Sequence, residues 1–173
     1  VWREGALGPL GLALQGTGIG ADRYLLNGGE VLEVFIQTDI DAIHGRVYMN
    51  SVWDASFYYV NGTEEGLGPD VSLTATTMEE PAPSSLKVLL AWVSESGFVN
   101  VQSRDTMNVT EYNAFSAAKQ LFEGDGGVQP GLAATGVYCG AQVYVAAEEK
   151  NLELQSGGDD LGANWTTGDV SSL

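Results

Sequence analysis

The chain carries one histidine, His44, within DIDAIHGR, where Asp39 and Asp41 stand close by. An imidazole and two carboxylates are donors that a divalent metal accepts, but their crowding between two strand-like runs reads as a polar loop. Nucleophilic catalysis by the usual Ser/His arrangement has no other histidine to serve as base. The acidic loops Glu123-Gly-Asp125 and Asp159-Asp160 lack the Asp/Asn alternation and closing Glu of an EF-hand. Among 23 acids no pair is singled out for glycoside hydrolysis. Gly16-Thr-Gly-Ile-Gly20 has the glycines of a nucleotide-binding loop, yet no strand leads into it and Pro9 and Gly11 interrupt what precedes. We read it as a flexible connection. These residues predict a non-enzyme that needs no metal and no cofactor.

Net charge excludes further classes. Seven Lys and Arg stand against 23 Asp and Glu, for a charge of -16, with the acids scattered along the chain. Nucleic acid and anionic membrane surfaces would repel such a chain. No apolar run is long enough to span a bilayer as a helix. Its 173 residues suffice for a packed core in one domain, and 44% of them are hydrophobic. The single cysteine, Cys139, lies in the apolar run GVYCGAQVYV and reads as a small core residue.

Three sequons, Asn61-Gly-Thr63, Asn108-Val-Thr110 and Asn164-Trp-Thr166, lie at or beside predicted turns. That is more than the roughly one expected by chance, and it predicts a secreted eukaryotic glycoprotein. No charged-then-apolar leader precedes Val1, which fits a mature form.

The elements are β-rich. VLEVFIQ, GRVYMN and SFYYVNG follow one another from Val31, crowded with Val, Ile, Phe and Tyr and parted by turn residues. We expect an all-β fold in one domain over residues 1–173. Residues 1–29 are a strand end and a Gly-rich connection, and 30–66 form a first antiparallel unit. Residues 67–124 hold a proline-bearing connector and a second unit, and 125–173 a third. Between Tyr112 and Phe122, apolar residues at helical spacing and the alanine-rich SAAKQ also allow a short helix.

The units share an ending: Trp2-Arg-Glu-Gly5, Thr63-Glu-Glu-Gly66, Leu121-Phe-Glu-Gly124 and Trp165-Thr-Thr-Gly168. The last two are 44 residues apart, the length of one four-stranded propeller blade. The units resemble blades of the fungal fucose-specific lectin family, the six-bladed propellers of the Aleuria type. The pieces that match are VLEVFI, GRVYMN, SFYYVNG and TEEG; then VLLAWV, FVNVQ, NVTEYNAF and LFEG; then GLAATGV, AQVYVA, NLELQ and WTTG. That resemblance implies about three propeller-like blades, incomplete alone or completed by a partner or a dimer.

The resemblance also implies a sugar site built from an arginine, a glutamate and an aromatic residue. Guanidinium and carboxylate satisfy adjacent sugar hydroxyls while the ring covers the apolar face. Carried over, it points to Arg46, with Phe57 where the glutamate belongs, and to Glu111, with Val99 in the arginine position. In the third unit Gln142 takes the arginine position and Glu153 stands near the carboxylate position, and Trp53 and Trp165 are the aromatic candidates. No unit keeps the charged pair.

Two functions follow. The first is a non-enzymatic secreted accessory subunit that docks on a larger extracellular protein and stabilises or modulates it, as a class of partner a fungal oxidase such as a laccase, or self-associates. The alternative is a carbohydrate-binding, fucose-type lectin.

Overall fold

The computed structural model describes residues 13–14, 16–39, 42–54, 58–60, 63, 67, 71–79, 86–106, 115–123, 131–137, 140–146, 151–157 and 165–169, the last two stretches by backbone path. These residues form thirteen strands in three antiparallel sheets, and the fold is all-β.

Blade A consists of β1 (Ile19–Leu26), β2 (Gly29–Asp39), β3 (Ala42–Met49) and the short β4 (Val52–Trp53), with β5 (Tyr58–Tyr59) also paired to β3. Blade B follows as β6 (Leu73–Glu79), β7 (Leu86–Val93), β8 (Phe98–Asp105) and β9 (Lys119–Glu123). Blade C is β10 (Gly131–Val137), β11 (Gly140–Ala146), β12 (Asn151–Gly157) and β13 (Trp165–Asp169). Each sheet is a meander in chain order, the arrangement of propeller blades, and the three do not close into a barrel.

Local chemistry explains the hairpins. Leu26 pairs with Gly29 across a two-residue turn, Asn27-Gly28, whose φ angles are 51° and 79°. A type I′ turn needs two such residues, and Asn-Gly supplies them at least cost. Asn50 and Ser51, with φ of 53° and 65°, make the same tight turn between β3 and β4.

Side-chain alternation then builds two cores, because successive residues of a strand face opposite sides. Val31 and Phe35 of β2 with Ile43 and Val47 of β3 face Val88, Leu90 and Trp92 of β7, which joins blades A and B. The other face of β7, with Leu89, Ala91 and Val93, meets Ala141, Val143 and Val145 of β11, which joins B and C. The middle blade is therefore covered on both faces. Its strand β7 is a continuous apolar run for that reason.

The first strands run side by side, and glycine permits their approach. A Cβ on Gly18 would lie 2.7 Å from the Leu73 amide nitrogen, and one on Gly136 would collide with the Thr77 carbonyl. The GTGIG stretch therefore opens β1 and packs on β6.

Several expectations are corrected. The first sheet begins at Ile19, eleven residues before the expected unit, because IGADRYLL pairs in full with β2. The proline-bearing connector, to which the sequence assigns one strand of its own, carries β6, and that strand opens the sheet of blade B. Lys119–Glu123 is a strand and residues 115–118 are not helical, so no helix forms over the described part of 112–122. Pairing of β9 with β8 outweighs the local helical preference of SAAKQ. Tyr112 to Ala114 lie outside the described residues.

The repeat is shifted by one strand between units. VLEVFI and VLLAWV are second strands, whereas GLAATGV is a first strand. LFEG and WTTG do fall on fourth strands, but Thr63 is in a loop. There its hydroxyl donates to the Val60 carbonyl at 2.8 Å and accepts from the Ile43 amide at 3.1 Å. Trp2 to Gly5 and Cys139 lie outside the described residues.

Candidate functional site

Two polar and aromatic clusters stand out, one on the outer face of blade A and one between blades A and B.

The outer cluster grows from β3. His44, Arg46 and Tyr48 occupy alternate positions and point away from blade B, since their neighbours Ile43 and Val47 belong to the core. The tight turn at Asn50-Ser51 returns the chain so that Trp53 lies opposite Tyr48. Their rings sit 5.2 Å apart at a tilt of 56°. The Arg46 guanidinium lies 5.8 Å from the centre of the Trp53 ring, and its Nε donates to the Asp54 carbonyl at 2.9 Å. Asp54 is itself fixed by its amide, which donates to the Val47 carbonyl at 2.8 Å. At the other end His44 Nδ1 is 2.6 Å from Thr38 Oγ1, and its ring meets Tyr59 edge-on at 5.7 Å. Arg46, Tyr48, Trp53 and Asp54 are all half-buried.

The inner cluster is sealed. Glu33, in the inward row of β2 with Val31 and Phe35, is 0% exposed, and Arg104 of β8 is 1% exposed. Arg104 Nη2 donates to both Glu33 oxygens at 2.7 Å. Tyr58 donates its hydroxyl to Glu33 Oε1 at 2.6 Å, and Tyr24 reaches Oε2 at 3.3 Å. Arg104 Nη1 donates to the Tyr58 hydroxyl at 3.3 Å. The flat guanidinium stacks between rings, 5.1 Å from Phe115 and 5.7 Å from Tyr58. Phe35 packs edge-on against both.

Burial opposes the charge on Arg104, but Glu33 and the tyrosine oxygens outweigh it and hold the guanidinium more firmly protonated than usual. Burial first, and then the Glu33 carboxylate, push Tyr24 and Tyr58 well above the ordinary phenol range. These groups bind one another and are closed to solvent, so the cluster ties two blades together.

A third feature is an open cleft of about 430 Å³ where first strands of the blades meet, bordered by Arg23, Tyr24, Leu25, Thr77, Glu79 and Gly136. Arg23 is paired with Glu30 at its rim.

Of the residues predicted from sequence, the fold brings Arg46 and Trp53 together. Gln142 lies on β11, on the face turned away from blade B, and accepts a hydrogen bond from the Tyr144 hydroxyl at 2.9 Å. Glu153 falls on β12 opposite Tyr144, and Trp165 on β13 opposite Ser156. Glu111, Phe57, Asn61, Asn108 and Asn164 lie outside the described residues. Val99 is a core residue of blade B. Among the described residues no cluster of three metal-binding side chains exists.

The charged pair sought within a single unit occurs across two. Glu33 was overlooked because VLEVF reads as an ordinary strand. The signal was an acid in the inward row between Val31 and Phe35.

No family model matches the chain, and no curated protein matches it. The fold is similar to the crystal structure of AofleA from Arthrobotrys oligospora, with a TM-score of 0.69 over 98% of this chain at 17% identity. A mutant of AofleA with three arginines replaced by alanine matches with the same TM-score at 18% identity. The chain spans 47% of the length of each. At this identity the likeness shows the fold and nothing finer.

Proposed function

We propose that this chain is a non-catalytic carbohydrate-binding protein, with Arg46, Tyr48 and Trp53 as the core of its sugar site. One observation carries the reading: a half-exposed guanidinium held over a half-exposed indole by the Asp54 carbonyl, with the Tyr48 ring beside them. Planar donors and an apolar ring at this spacing match a sugar, which presents hydroxyls at its rim and C–H groups on its face. The fold is in keeping with this, since it is similar to that of AofleA and its units resemble blades of the fungal fucose-specific lectin family. No observation favours an accessory role beside a secreted oxidase.

Titration calorimetry with L-fucose, preceded by a glycan array, tests the reading. Millimolar or tighter binding is expected, and Arg46→Ala or Trp53→Ala is expected to weaken it at least tenfold. Absence of any glycan signal removes the proposal. We further propose that the protein works outside the cell and carries N-glycans at Asn61, Asn108 and Asn164. A drop in mass on peptide N-glycosidase treatment of the native protein is the expected result.

A further inference from the structure

The edge of blade A is built differently from that of blade C. In blade C the fourth strand keeps one register with the third, from Leu152 opposite Asp169 to Ser156 opposite Trp165. In blade A two short pieces pair with β3, so that Trp53 stands opposite Tyr48 and Tyr59 opposite His44. From Tyr48 to His44 is four steps along β3, and from Trp53 to Tyr59 is six, so this edge carries an excess of two residues. An even excess leaves the two faces in step. Bulges of this kind re-aim side chains and are over-represented beside functional sites.

Each piece adds one aromatic side chain to the outer face. Tyr58 turns inward to Glu33, and by alternation its neighbour Tyr59 turns outward, where its ring meets His44 edge-on at 5.7 Å. At the other end Trp53 meets Tyr48 at 5.2 Å. His44, Arg46 and Tyr48 are alternate residues of β3, so the two ring pairs stand about 13 Å apart along the strand, with the guanidinium between them. Thr38, on β2, lies 2.6 Å from His44 Nδ1 and fixes the imidazole. His44, Arg46, Tyr48, Trp53 and Tyr59 are all half-buried, each held by its neighbours and open on part of its surface.

This row is longer than one sugar ring. A single sugar on Arg46 and Trp53 leaves the His44 and Tyr59 pair untouched, whereas a short chain of linked sugars laid along β3 meets both pairs. We propose that His44 and Tyr59 form a second subsite, so that blade A takes a short oligosaccharide along β3. Its terminal sugar lies against Arg46, Tyr48 and Trp53, and a further ring packs on Tyr59 while its hydroxyls bond to the His44 imidazole. The inference rests on the sugar reading of the first subsite and extends it from a monosaccharide to an oligosaccharide. Because the two sugars are joined, the second contact is made within one complex and adds affinity at little entropic cost.

Titration calorimetry on the purified chain, with L-fucose and with the free trisaccharide fucosyllactose, tests the second subsite. The parent is expected to bind the trisaccharide at least about tenfold more tightly than L-fucose. His44→Ala and Tyr59→Ala are each expected to remove most of that advantage while L-fucose affinity changes by less than about twofold. Trp53→Ala is expected to weaken both sugars together. Retained L-fucose binding shows that a variant is folded, and two positions are chosen so that if one variant fails to fold, the other decides. Equal affinity of the parent for the two sugars overturns the second subsite and leaves the first standing, and so does an advantage that the folded variants retain. Binding of neither sugar overturns this inference together with the reading it rests on.

Discussion

Arg104 and Arg46 both lie on third strands, yet they live in opposite worlds. Arg104 faces a carboxylate, two phenols and two ring faces and is buried from solvent. Arg46 lies half-exposed against an indole, with a backbone carbonyl as acceptor. The difference arises from what the neighbouring blade supplies. Where Glu33 is opposed, the arginine becomes a clamp between sheets; where no described blade stands opposite, the third-strand arginine stays half-exposed. A repeated fold can thus seal one third-strand arginine for cohesion and leave another at the surface, and the comparison can be broken by experiment.

The largest effect is expected at Glu33. Glu33→Leu leaves the Arg104 charge buried without its anion, which costs about 3–5 kcal/mol. Arg46→Ala removes a half-exposed contact and is expected to cost less than about 1 kcal/mol. Glu33→Leu combined with Arg104→Met replaces both charges by apolar groups and should recover most of the loss. Urea midpoints of the three variants measure this. Equal costs at Glu33 and Arg46 would show that the two arginines do not differ in the way described.

A smaller effect is expected where the clamp meets the backbone. The Tyr58 ring lies directly over Gly45, at the position a Cβ would occupy. Gly45→Ala must displace that ring and with it the 2.6 Å bond to Glu33, at a cost of about 1–3 kcal/mol. The outer cluster is on the other face of β3, so sugar binding by the folded variant should stay unchanged. If binding at Arg46 and Trp53 fell with it, the two clusters would be coupled through β3.

These contrasts also explain what the sequence made legible. The runs of Val, Ile, Phe and Tyr announced strands. β1 was missed because glycines and charges dilute IGADRYLL, although Asn27-Gly28 between two alternating runs is a strong hairpin signal. Arg46 and Trp53 meet because a tight turn joins their strands and local order fixes their approach. Glu33 and Arg104 stand 71 residues apart, and their pairing depends on how two finished sheets stack. Strand periodicity shows that Glu33 faces inward but not which cation meets it.

The smallest prediction concerns an acid with no such cation. Asp22, on β1, accepts a hydrogen bond from the Thr77 hydroxyl of blade B. Burial raises its pKa above the ordinary carboxylate value, with the Thr77 bond pulling the other way and Glu33 adding to the rise. The native chain therefore holds this proton more readily than the unfolded chain does. Its ionised form weakens the fold at neutral pH, and the penalty fades as pH falls through the raised pKa toward the unfolded value. Asp22→Asn keeps an acceptor for Thr77 and removes the charge. Its urea midpoint should exceed that of the parent at pH 7, and the two should converge near the ordinary carboxylate pKa. A variant weaker than the parent at pH 7 would mean that the charged hydrogen bond outweighs burial. Blades A and B would then be joined by two anchored carboxylates, and Glu33 would owe less of its place to Arg104.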